Sequence, residues 1–175
     1  MLVLAGSVPA SLSPECYVRL LSFSGRSDFR IALDAAGRLC GQSLALAPWL
    51  VKPNRAELEE LVGERLSSRS EVARAARRLQ ERGARNVLAS LGEEGAFLLS
   101  ESGEELFIAA PRGEVADTVG AGDSLLAGFI AAKEQGGSDR EALKLGVAAG
   151  SATAFRVGLA TGEEIRALLA AMRKS

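Results

Sequence analysis

The residues whose types and spacing carry the most chemistry are Asp117-Thr118-Val119-Gly120-Ala121-Gly122-Asp123. An apolar stretch follows, with Leu125, Leu126, Phe129 and Ile130 at helical spacing. Two glycines around an alanine let the N–H groups of Gly120, Ala121 and Gly122 turn toward one point. That point falls at a helix N-terminus, where the partial positive charge favours an anion. Asp123 would sit in the first helical turn, beside the anion. A carboxylate there is placed to take the proton of a hydroxyl as that hydroxyl attacks a phosphoryl group. The same residues also read as a glycine-rich loop in which Asp123 does no more than complement the helix dipole. Neither G-x-x-x-x-G-K-[ST] nor G-x-G-x-x-G occurs, so a phosphate site rests on G-A-G-D or is absent.

Histidine is missing from all 175 residues. Its absence removes histidine-based triads, histidine zinc sites and imidazole general bases. Proton transfer falls to a carboxylate, Lys, Tyr or Cys. The two cysteines, Cys16 and Cys40, have no partner motif and read as reduced core thiols of a cytoplasmic protein. The chain is 47% hydrophobic and 25% charged, with 21 basic against 22 acidic residues. That balance is globular and lacks the basic excess of a nucleic-acid binder. No apolar run approaches a membrane span, and no secretory leader is visible. No linker, repeat or low-complexity tract interrupts the chain, so residues 1–175 read as one domain.

The elements that must position these residues alternate between strands and helices. Met1–Ala5 is a continuous apolar run, as in a buried parallel strand. Ser13-Pro14 reads as the start of a helix containing Cys16, Val18, Leu20 and Leu21. Arg30–Asp34 and Trp49–Lys52 are further short strands, and Pro53 stops the second. Helices are expected at about Leu39–Ala47, Ala56–Val62 and Ser70–Arg82. Asn54 followed by Glu57 is a capping box, as are Ser138 with Glu141 and Thr161 with Glu164. Asn86–Leu91, Ala96–Ser100 and Glu105–Ala109 form a meander with a turn at Gly92–Gly95, in which Glu93 and Glu94 are solvated. A helix starts near Gly122, and two more start at Ser138 and Thr161. Alternation of this kind means βαβ units and a parallel sheet, here with antiparallel strands at one edge.

The D-T-V-G-A-G-D-S-L-L-A-G-F run resembles the C-terminal signature of the ribokinase-like carbohydrate kinases, the PfkB family. Lys52-Pro53-Asn54-Arg55-Ala56-Glu57 resembles its K-P-N-x-x-E segment, and Ser90-Leu91-Gly92-Glu93-Glu94-Gly95 its S-L-G-x-x-G turn. Gly6-Ser7-Val8-Pro9 is similar to the G-S-L-P that follows a mid-chain strand. The wording of Ala47–Glu59 is especially like bacterial 1-phosphofructokinases and their tagatose-6-phosphate kinase relatives. The resemblance spans essentially the whole chain. It implies a three-layer α/β/α fold, a mostly parallel sheet with antiparallel edge strands, and a cytoplasmic ATP-dependent kinase acting on a sugar phosphate.

Residue by residue, the resemblance makes Asp123 the base and Gly120, Ala121 and Gly122 the anion hole for the transferring phosphoryl group. Asn54 and Glu57 would organise Mg²⁺ through waters, with Lys52 near the nucleotide phosphates. Ser90, Leu91, Gly92, Glu93, Glu94 and Gly95 would border ATP, together with Gly122 and Asp123. Asp117 and Val119 match positions where some members bind a monovalent cation, K⁺ here. Gly150–Gly158 would run along the adenine, with Arg156 standing where small or polar residues are frequent. The family's N-terminal strands, sugar-binding segment and β lid have no counterpart, so the chain reads as the nucleotide-binding and catalytic-base half of such a kinase. The expectation is little or no activity alone, and a homodimer in a full-length protein. A noncatalytic nucleotide-binding module or pseudokinase subunit, and a doubly wound domain for another phosphorylated ligand, are the alternatives. Fructose 1-phosphate is the expected substrate; tagatose 6-phosphate and fructose 6-phosphate are the others.

Overall fold

Short apolar runs cannot satisfy their own backbone groups, so they pair. In the computed structural model, which describes residues 1–9, 11–13, 15–24 and 29–172 (the side chains of Phe23 and Ser24 apart), six strands form one sheet in chain order. They are β1 (Leu2–Ala5), β2 (Ile31–Asp34), β3 (Leu50–Val51), β4 (Asn86–Ser90), β5 (Ala96–Leu99) and β6 (Glu105–Ile108). The strands β1 to β4 are parallel neighbours, with Leu2 opposite Ile31, Ala32 opposite Leu50 and Val51 opposite Val87. Parallel pairing needs a long crossover, and each gap holds helix. These are α1 (Cys16–Ser24), α2 (Gly37–Ser43) with a 3-10 turn at Leu44–Leu46, and α3 (Arg55–Val62) with α4 (Arg69–Glu81). Only five residues separate β4 from β5 and five separate β5 from β6. Those links are too short for a crossover, so the sheet is mixed.

The chain divides into two compact units. The first comprises Met1–Ser90 and Leu98–Glu105. Its centre is aliphatic: Leu33, Leu50, Val51, Val87 and Leu88 are at most 1% exposed. α4 lays Val72, Ala75, Ala76 and Leu79 into that centre, and Arg30 covers the Trp49 ring at 4.8 Å. The expectation of a buried first strand does not hold. Among the described residues β1 pairs with β2 alone, and Val3 is 45% exposed while Leu4 is buried. A continuous apolar run is buried only where both faces are covered. Cys40 is buried, Cys16 is half-buried, and both are free thiols. Ser13 precedes α1 and accepts from the Glu15 N–H at 3.2 Å. Pro14 lies outside the described residues.

The second unit comprises Leu91–Phe97 and Leu106–Ser175. It is built on α5 (Ala121–Glu134), α6 (Asp139–Ala154) and α7 (Gly162–Ala171). The helices α5 and α6 meet backbone to backbone. A Cβ on Gly146 would stand 2.8 Å from the Leu125 carbonyl oxygen, and one on Gly150 would stand 3.0 Å from that of Ala121. Phe129, Leu143 and Val147 fill the seam. The capping boxes expected at Ser138 with Glu141 and Thr161 with Glu164 are both present. No helix among the described residues is long and apolar enough to cross a membrane.

Candidate functional site

In open α/β sheets the groups that meet ligands gather beyond the carboxyl ends of the strands. The first unit follows that rule. β2 ends on Asp34, and Lys52 is the residue after β3. Their side chains meet at 3.0 Å and are only 13% and 7% exposed. Neither charge could be buried cheaply alone, so each makes the other's burial tolerable. Asn54 forms an isolated parallel bridge with Ser90, whose N–H donates to the Pro53 carbonyl at 3.0 Å. Lys52, Asn54, Glu57 and Ser90 are therefore brought to one end of the unit. Asp34 was not singled out, although a carboxylate closing the apolar run Arg30–Asp34 carries the signal.

Asn54 begins α3. Its Oδ1 accepts from the Glu57 N–H at 2.9 Å, and Glu57 Oε2 accepts from the Asn54 N–H at 2.8 Å. The box uses one of the two Glu57 carboxylate oxygens, and Asn54 is exposed. Few protein oxygens and several waters suit Mg²⁺, so this pair fits the ion's demands. Beneath it the Cys40 thiol is pushed up to about 12, first by burial, then by the Glu57 carboxylate, with Asp34 adding to it and Arg82 opposing. That thiol stays protonated and inert.

In the second unit, Leu91–Gly95 is a tight turn. Leu91 N–H donates to the Gly95 carbonyl at 2.9 Å, and Gly95 N–H to that of Gly92 at 3.0 Å. A Cβ on Gly95 would collide with the backbone of Ile108 and Ala110. Leu91 is buried, while Gly92, Glu93 and Glu94 are exposed.

The G-A-G-D segment opens α5. Asp117 Oδ1 accepts from the Val119 N–H at 3.0 Å, folding the loop on itself. Ala116 and Asp117 both donate from their backbone to the Ala154 carbonyl, at 2.9 and 3.2 Å. Gly120 is the N-cap with φ +78, and no side chain caps the helix. A Cβ there would also press on Leu159 Cδ2 at 2.7 Å. The first helical bond runs from Ser124 N–H to the Gly120 carbonyl at 2.9 Å. One expectation needs correction: the Ala121 N–H does not face outward with its neighbours. It donates back to the Thr118 carbonyl at 3.2 Å, because the left-handed Gly120 closes a turn before the helix starts. Gly122 and Asp123 fill the next two positions, where a helix leaves N–H groups without carbonyl partners. Asp123 is exposed and has no ion-pair partner among the described residues.

The Gly150–Gly158 run divides in two. Gly150 is buried against α5, whereas Val157 and Gly158 are exposed. Arg156 turns to Glu164, Nη1 to Oε2 at 2.7 Å. Glu164 is held below its ordinary carboxylate range, first by the Thr161 N–H and then by the Thr161 hydroxyl and Arg156. Among the described residues no group of three or more acidic, Cys or His side chains gathers as a metal cluster.

A family profile described as "pfkB family carbohydrate kinase" matches residues 1–166. The 1-phosphofructokinase of Bacillus subtilis is 37% identical over 170 residues, which cover 97% of this chain and 55% of that protein. Phosphofructokinase-2 from Escherichia coli, solved in complex with potassium, superposes with TM-score 0.89 at 31% identity, covering 98% of this chain and 56% of its own. Arabidopsis thaliana ribokinase, solved with ribose and ATP, shares the fold at TM-score 0.76 and 23% identity. The chain spans about half the length of the curated relatives it matches.

Proposed function

We propose that this chain, which belongs to the pfkB family of carbohydrate kinases, is the nucleotide-binding and catalytic-base portion of an ATP-dependent sugar-phosphate kinase. The reaction is transfer of the γ-phosphoryl group of ATP to the free primary hydroxyl of fructose 1-phosphate, giving fructose 1,6-bisphosphate and ADP. One observation carries the reading: α5 starts with no side-chain cap and sets an exposed Asp123 in its first turn. Asp123 takes the hydroxyl proton as the hydroxyl oxygen bonds to phosphorus and the bond to the bridging oxygen breaks. The turn at Gly120–Gly122, with the Gly122 N–H aligned on the helix dipole, receives the transferring group. Lys52, held by Asp34, supplies a fixed cation for the nucleotide phosphates. Mg²⁺ would neutralise phosphate charge, held through waters by Asn54 and Glu57. Ser90–Gly95 borders the nucleotide, and Asp117 with Val119 offers backbone oxygens to a monovalent cation.

The substrate assignment leans on the 1-phosphofructokinase relatives. Fructose 6-phosphate competes, because it is bound in one phosphofructokinase-2 relative; tagatose 6-phosphate is third. The test is ATP consumption with each sugar phosphate, by this chain and by the complete protein that carries it. Turnover fastest with fructose 1-phosphate in the complete protein supports the reading, and faster turnover with either other sugar overturns the substrate. We expect little or no turnover from the 175 residues alone, since phosphoryl transfer needs both reactants held in line. A noncatalytic nucleotide-binding module is the second reading, favoured by the 55% coverage of the relatives. Tight ATP binding without turnover in the complete protein would select it.

A further inference from the structure

We infer that Thr153 is a positioning residue for the first turn of α5, tying the residue beside Asp123 to the segment that leads into α7. The inference rests on the reading of α5 given above. Thr153 is only 1% exposed and sits in the last turn of α6, where Ala148, Ala149 and Ala152 are its buried neighbours in sequence. A hydroxyl in such a place must be bonded. Its Oγ1 donates to Ser124 Oγ at 2.9 Å and accepts from the Ala160 N–H at 3.2 Å. A hydroxyl has one hydrogen, so these two bonds fix its orientation.

Both partners are strategic. Ser124 follows Asp123 and makes the first helical bond of α5, to the Gly120 carbonyl. Ala160 precedes Thr161, the N-cap of α7. One hydroxyl thus joins the end of α6 to the starts of α5 and α7. The next carbonyl along, Ala154, holds Ala116 and Asp117. The last turn of α6 therefore grips the G-A-G-D loop at its entrance through Ala154 and at its exit through Thr153. Between them, the Thr153 methyl stands 4.0 Å from where a Cβ on Gly120 would be. Thr153 touches no reacting atom; it acts through Ser124. Valine has the same shape without the hydroxyl, and would leave the Ser124 oxygen and the Ala160 N–H without their partner.

Amide hydrogen exchange on the 175-residue chain tests the tether without requiring activity. Thr153→Val should speed exchange by about tenfold at both Ser124–Leu125 and Ala160, and leave α3 unchanged. Thr153→Ser, which keeps the hydroxyl, should stay within about threefold of the parent. Faster exchange at only one segment, at neither, or equally in the Ser variant overturns the inference. If Thr153→Val fails to fold, Ser124→Ala approaches from the other side: it leaves the Ala160 bond to Thr153 in place and removes the bond to α5, so unchanged exchange at Ser124–Leu125 would then be fatal to the inference. In the complete protein, Thr153→Val should lower kcat by about tenfold to a hundredfold with KM for ATP nearly unchanged. A change in KM alone would contradict a positioning role. If the parent shows no sugar-dependent turnover, the kinase reading falls, and the exchange result still decides the tether.

Discussion

The starts of α3 and α5 solve the same problem in opposite ways. Each helix must deal with N–H groups that no carbonyl of its own reaches. α3 closes its first turn with Asn54 and Glu57, each bonding the other's backbone. α4, α6 and α7 do the same through Ser68 with Glu71, Ser138 with Glu141 and Thr161 with Glu164. α5 opens on a left-handed glycine with no side chain to offer. On the function proposed above, the two starts do different jobs. A satisfied cap holds the helix in place, and the open start of α5 receives a group from solution; its exposed Asp123 sets it apart from α2, which also lacks a side-chain cap. Asp34 and Lys52 show the same division from another side, because a buried pair of charges is a poor stabiliser and a good fixed pole.

Breaking the open end has the largest expected effect. Asp123→Asn in the complete protein should cut kcat by about 10²–10⁴-fold, read as ADP release, with the fold intact by circular dichroism. A loss under tenfold would remove Asp123 from the base role. Next is the buried pair. Asp34→Asn leaves Lys52 without its carboxylate and should destabilise by about 3–5 kcal/mol in urea titrations of this chain. Asp34→Asn with Lys52→Met should recover much of that loss, since no lone charge then remains buried.

The closed ends test the comparison more finely. Asn54→Ala and Thr161→Ala should each lose about 1 kcal/mol, the worth of a cap. Only Asn54→Ala should raise the Mg²⁺ concentration needed for half-maximal turnover. Equal Mg²⁺ behaviour would make Asn54 a cap and nothing more. The smallest effect concerns acid. Glu71 and Glu164 sit below the ordinary value of 4.5, chiefly through backbone N–H bonds from Ser67 and Thr161 respectively. A carboxylate with a lowered folded value stabilises above its unfolded value, and the gain is lost as pH falls through the folded one. The stability gap between the parent and Glu164→Gln should therefore be present at neutral pH and vanish under acid, by thermal melts.

Local chemistry was readable in the chain and distant chemistry was not. Three capping boxes could be read directly, because donor and acceptor lie three residues apart. The fourth, Ser68 with Glu71, hid among neighbouring serines. Helix and strand positions followed periodicity with most ends off by a residue or two, but the helix expected at Leu39–Ala47 stops at Ser43, where a 3-10 turn takes over. The exposure of Val3 was not legible, since it depends on what covers the strand. The Asp34–Lys52 pair joins the end of β2 to the residue after β3, and no spacing rule reaches across a crossover. The G-A-G-D helix start was legible as a motif. The inward turn of the Ala121 N–H followed only from the conformation of Gly120.

The seam between α5 and α6 has a consequence for how this protein can vary. Side chains absorb a misfit by changing rotamer, but a carbonyl oxygen 2.8 or 3.0 Å from a prospective Cβ cannot. Gly146 is thus a position with a single permitted letter, and Gly150 one where any other requires the Ala121 carbonyl to yield. A saturation library selected for folding should return glycine at Gly146 and glycine enriched at Gly150, while Ala131, exposed on α5, drifts freely. Where most of the molecule tolerates synonyms, this seam is spelled one way.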